Sequence, residues 1–122
     1  MKIPKIKSHT FYGKKYKIKF GFKNNTNKKE LKECADACGL KPEDILAMTD
    51  NRGTKNQTIL ISDKIDDDKT LLRVLLDEGL HACDERTDND VVHEYATSLS
   101  NFLWRCGYRR VIPAKAAEGL DT

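Results

Sequence analysis

Three features of the sequence predict a single α+β domain in which short strands come first and long helices last. The N-terminal third alternates lysine with apolar residues: in KYKIKFGF, Tyr16, Ile18 and Phe20 fall on one side of an extended chain and the lysines on the other. TILIS at Thr58–Ser62 is a short β-branched run. The C-terminal half holds two runs of helical period, LLRVLLDEGLHACD and VVHEYATSLSNFLWRC. A chain of 122 residues has material for one real core and not for two, so 1–122 reads as one domain.

Taken in order, Lys2–Lys7 and Lys15–Phe22 read as two strands joined at Gly13. Asn24–Asn27 is a polar loop in which Thr26 or Asn27 caps a helix over Lys28–Cys38. Leu31, Cys34, Ala35 and Cys38 form the apolar stripe of that helix, and Gly39 stops it. Lys41–Leu46 is a proline-containing turn, and Thr49–Gln57 a turn-rich loop without core residues. After the strand Thr58–Ser62, Asp66–Asp68 supplies a cap and favourable negative charge to a helix beginning near Lys69. A last helix runs from Asn89 to Cys106, capped by Asp88 or Asn89 and ended by Gly107. The tail after Pro113 is expected to fray. The predicted order is ββ-α-β-α-α.

Composition excludes several classes. With 39 % hydrophobic and 34 % charged residues the chain is neither a disordered polyampholyte nor a membrane protein, and no apolar run reaches bilayer length. The basic start MKIPKIKSHTF lacks the apolar stretch of a secretory signal, so a cytoplasmic protein is expected. Four cysteines lack the C-x-x-C knuckle of zinc ribbons and read as reduced core residues. The net charge of +3 hides an asymmetry, because no carboxylate precedes Glu30 while residues 63–94 are rich in Asp and Glu. Lys14, Lys15, Lys17 and Lys19 suit contact with nucleic acid, but lysine without arginine is also the ordinary solvent face of edge strands.

The central helix carries Asp77, Glu78 and His81 as D-E-x-x-H. Residues four apart on a helix share a face, the spacing by which H-E-x-x-H holds a metal with its outer residues and works a water with its Glu. By periodicity Leu72, Leu75, Leu76, Gly79, Ala82 and Cys83 form the core side, and the three polar residues the opposite side with Val74. A solvated polar face accounts for the same spacing, so a third ligand must come from elsewhere. On the last helix Val92, Tyr95, Ala96, Leu99, Phe102, Leu103 and Cys106 form the apolar side, flanked by His93 and Glu94 in opposite directions. Either of these can be the third ligand by spacing, as can Asp84 or Asp88.

TILIS, LLRVLLDEGLHACD and VVHEYATSLSNFLWRCGYR together resemble the small phage-encoded metallopeptidases related to SprT-like zincins. The resemblance covers about Thr58–Arg109 and lies in Ala82 after the ligand His, the distance to Glu94, and the ending Leu103-Trp104-Arg105-x-Gly107-Tyr108-Arg109. It implies a small zincin-like domain and a metallopeptidase of peptide or protein substrates. By position it implies Glu78 as general base, Asp77, His81 and Glu94 as metal ligands, and Thr58–Ser62 as the edge strand that pairs with substrate. Asp77 departs from the family, which has His there. An anionic ligand set weakens the Lewis acid and moves the preference from zinc toward manganese or iron. The alternative is a zincin-like binding protein of low activity that contacts nucleic acid or a host protein through the lysine-rich hairpin.

Overall fold

The computed structural model describes residues 6–21, 28–50 and 57–111, and in them the chain is an α+β fold. Strands β1 (Ser8–Phe11) and β2 (Lys14–Phe20) form an antiparallel hairpin. Its two-residue turn puts Tyr12 at φ 47° and Gly13 at φ 82°, the left-handed pair that matches strand twist. Helix α1 (Lys28–Cys38) follows, then a 3-10 turn at Pro42–Asp44, β3 (Ala47–Asp50) and β4 (Thr58–Ile61). The chain closes with α2 (Asp68–Cys83) and α3 (Asn89–Arg105).

The strands make one mixed sheet in the order β1-β2-β4-β3, with β2 and β4 parallel and the other pairs antiparallel. Partners in register share a sheet face, which divides the core in two. On one face Tyr16, Ile59 and Ile61, with Ile18, Phe20 and Ala47, meet Leu71, Val74 and Ala82 of α2. On the other, Leu60 and Met48 meet Leu31 and Ala35 of α1 and Ile45 after the 3-10 turn. Lys15 and Lys17 alternate onto that second face of β2 and are exposed.

Both ends of α2 and the C-terminal end of α3 follow the sequence closely, whereas Asp88 precedes α3 without the side-chain capping bond expected of it. The Asp67 carboxylate accepts the Thr70 amide at 2.9 Å and caps α2. At the end of α3, Gly107 turns left-handed, its amide reaching the Trp104 carbonyl while that of Tyr108 reaches Leu103, both at 3.0 Å. Arg109 folds back over the Trp104 ring at 3.4 Å and donates to the Trp104 carbonyl at 2.8 Å. The Leu103–Arg109 ending is therefore a helix-capping device. Asp68 and Arg110, 2.9 Å apart, tie this end of α3 to the start of α2.

Several expectations are corrected. The first strand begins at Ser8 and not within Lys2–Lys7; residues 2–5, like Phe22, the loop Asn24–Asn27 and the tail after Pro113, lie outside the described residues. Ala47–Asp50 is a strand with Met48 and Asp50 buried, so Thr49 and Asp50, expected to open a loop without core residues, belong to the sheet, and Ala47 and Met48, assigned to no element, begin that strand. β3 forms the edge, so Thr58–Ser62 is an interior strand and offers no edge to a substrate. The cysteines are all free, as expected, but only Cys34 packs against the core and is half-buried, while Cys38, Cys83 and Cys106 are exposed and are not core residues.

The largest correction concerns the buried side of α2; on α3 Val92 and Ala96 are buried as expected, but other residues of the expected apolar side are not. On α2 it is Leu71, Val74, Glu78 and Ala82, and Leu75, assigned to the core by periodicity, is 41 % exposed. On α3 it is Val92, Ala96 and Ser100, leaving Tyr95, Leu99 and Phe102 exposed. Small side chains at 96 and 100 suit the close pairing of α2 with α3, while the sheet takes the 71–74–78–82 stripe. A methyl added at Gly79 would meet only the Phe11 ring at 3.5 Å, ordinary contact, so close approach does not require this glycine. Leu71→Ala is expected to cost about 2–5 kcal/mol and Leu75→Ala less than about 1.5 kcal/mol, read from denaturant unfolding. The reverse order would restore the leucine side as the core.

Candidate metal centre

Asp77 and His81 lie one turn apart on the flank of α2, and His93 enters from the first turns of α3. Both imidazoles converge on one carboxylate. His81 Nε2 lies 3.3 Å from Asp77 Oδ1, and His93 Nδ1 lies 3.2 Å from Asp77 Oδ2. The Asp77 and His81 side chains are 14 % and 19 % exposed, whereas that of His93 is 59 % exposed.

Glu78 sits one position on, within the buried stripe of α2. The Thr49 hydroxyl of β3 donates to its Oε1 at 2.9 Å and also lies 3.2 Å from its main-chain oxygen. The loop assignment of Thr49 in the sequence concealed this partner. Only the pairing of β3 with β4, which sets Thr49 opposite Ile59, brings it to α2.

These groups border a cavity of about 590 Å³ between α1, β3 and the α2–α3 pair. Cys34 and Cys38 of α1 and all four residues of β3 line it beside Asp77, Glu78, His81 and His93. Among the described residues five carboxylates line it (Glu33, Asp50, Asp77, Glu78, Asp90) and no Lys or Arg does.

Proton affinities follow from this packing. Burial pushes the Glu78 carboxyl up to about 7, aided by the charge of Asp77 and opposed by the Thr49 hydroxyl and the charges of His81 and Arg73. Burial also acts upward on Asp77, but hydrogen bonds from His81 and His93 outweigh it and leave that carboxyl below its ordinary range. The bond to Asp77 raises His81 against the opposing effect of burial.

Of the ligands implied by the resemblance, the structure brings Asp77 and His81 together and adds His93. Glu94 is exposed and does not line the cavity. Two imidazoles and a carboxylate are a donor set that divalent metals take. The imidazoles rest on different oxygens, however, and among the described residues no group of three His, Cys, Asp or Glu stands placed to hold an ion. Sharing one ion requires His93 or the Asp77 carboxylate to turn.

Of the hairpin lysines, Lys15 and Lys17 are exposed, Lys14 and Lys19 half-buried, and Lys14 lies 3.8 Å from Glu85. Among the described residues no helix is long and apolar enough to cross a membrane. Comparison with protein-family models, with curated proteins and with solved structures finds no match to this chain.

The buried carboxyl makes stability depend on pH. Between the ordinary value of 4.5 and about 7 the folded chain binds more protons at Glu78 than the unfolded chain does. This contribution is fully present below the lower value and is lost as pH rises through the upper one. Glu78→Gln removes it, so the variant should gain on the native chain by at most about 3 kcal/mol between about pH 5 and about pH 8. Urea unfolding at both pH values measures the difference, and parallel pH slopes would argue against a buried, titrating Glu78.

Proposed function

We propose that the chain is a metal-dependent hydrolase of peptide substrates working in the cavity between α1, β3 and the α2–α3 pair. One observation carries this reading: imidazoles from two helices converge on Asp77 at 3.3 and 3.2 Å, one residue before a buried glutamate. Asp77, His81 and His93 would hold the ion, with zinc, manganese or iron compatible with the donor set. The ion would supply Lewis acidity to a substrate carbonyl and to water.

The remaining work falls to the chain. Asp77, whose contacts with both imidazoles hold its carboxyl below the ordinary range, is anionic at neutral pH. Glu78, with a pKa of about 7, is suited to take a proton from water and return it to the departing amine. Thr49 fixes the Glu78 carboxylate, so the proton acceptor does not swing with substrate. The edge strand β3, and not Thr58–Ser62, is the strand that an extended peptide would join by main-chain hydrogen bonds, and its four residues border the cavity.

Elemental analysis of the purified chain, after loading with each divalent ion in turn, tests the reading directly. Near-stoichiometric metal is expected in the native chain and in Glu78→Gln, and its loss in Asp77→Ala, His81→Ala and His93→Ala. Peptide hydrolysis by Glu78→Gln should fall by about 10²–10⁴-fold with metal retained. A chain that takes up no ion, or a Glu78→Gln variant as fast as the native one, would overturn it.

A further inference from the structure

Across the cavity from Asp77 and His81, α1 presents two thiols that the proposed hydrolase does not use. Cys34 and Cys38 stand four residues apart in the last turn of α1, so they share a helix face, and both line the cavity. Neither is in a disulfide. Cys34 packs against the core of Leu31, Ala35, Ile45, Met48 and Leu60, which holds one sulfur in place, while Cys38 is exposed and can adjust. Two sulfurs bound to one tetrahedral zinc-like ion at about 2.3 Å lie roughly 3.8 Å apart, close to the contact distance of two thiols.

The electrostatics point to the same kind of occupant. Burial pushes the Cys34 thiol up to about 11, and the charges of Cys38 and Glu78 add to the rise. A thiol so placed is a poor nucleophile at neutral pH. A dication bound at the sulfurs reverses that balance through its own charge, which favours the thiolate.

We infer that Cys34 and Cys38 form a second, soft cation site that takes one thiophilic dication of the zinc and cadmium class through both sulfurs, with water filling the other positions. Binding breaks two S–H bonds, forms two sulfur–metal bonds and releases two protons to solvent. The site does not rest on the hydrolase reading, since neither thiol belongs to the donor set of Asp77, His81 and His93. Its occupant would share the cavity with Glu78 and oppose the charge that Cys34 feels from it.

Cadmium titration of the reduced Cys83→Ser/Cys106→Ser chain tests the site, read by the ultraviolet thiolate-to-cadmium charge-transfer band. A band saturating at one ion per chain is expected. Cys38→Ser in that background, a change at an exposed position, should abolish it, and His81→Ala in the same background should leave it intact. No band in the starting chain, a band that survives Cys38→Ser, or one that disappears with His81→Ala would each overturn the site. The His81→Ala arm also separates this proposal from the first, because that substitution is expected to remove only the other metal.

Discussion

The placement of a carboxylic acid on the buried stripe of α2 constrains much of the rest of the structure. Glu78 takes the position between Val74 and Ala82 that an apolar residue would ordinarily fill, facing the sheet. Such a group is tolerated with a hydrogen-bond partner or with a raised proton affinity, and here both are present. Thr49 supplies the partner from β3, and burial raises the proton affinity into the neutral range. The edge strand and the helix are thus joined at one polar contact inside an otherwise apolar interface.

That contact also sets the direction of the neighbouring residues. With Glu78 against the sheet, a rotation of about 100° per residue turns Asp77 and His81 toward the open cavity at the β3 side. The α2–α3 pairing, close because Ala96 and Ser100 are small, then carries His93 to the same carboxylate. Three polar groups therefore meet because two helices and one strand are each anchored by apolar packing elsewhere. Among the described residues the cavity they border is lined by acids, imidazoles and thiols but by no Lys or Arg, while exposed Lys15 and Lys17 lie on the hairpin. The charge asymmetry visible along the chain thus persists in space.

Much of the architecture was legible in the residues. The bounds of α1, α2 and α3 follow from Gly39, Asp67 and Gly107, whose effects are local and need no tertiary partner. D-E-x-x-H correctly put Asp77 and His81 together, since helix geometry alone fixes that spacing. β3 was not legible. Ala47–Asp50 holds one large apolar residue, Met48, and becomes a strand because β4 is beside it. Its absence from the sequence reading hid Thr49 and moved the sheet edge to the wrong strand.

The sequence by itself determined the helices, the hairpin turn at Gly13 and the local cluster on α2, because caps, turns and four-residue spacing act over a few residues. It did not determine which side of α2 is buried. Counting leucines selects the 72–75–76 side, yet a helix packed between a sheet and another helix divides its apolar surface between two neighbours, and periodicity cannot weigh them. Only the tertiary structure decided that the sheet takes Leu71, Val74, Glu78 and Ala82, and that His93 rather than Glu94 meets Asp77. The reason is that rotation about a helix axis is set by the sum of long-range contacts, which no single stretch of sequence contains.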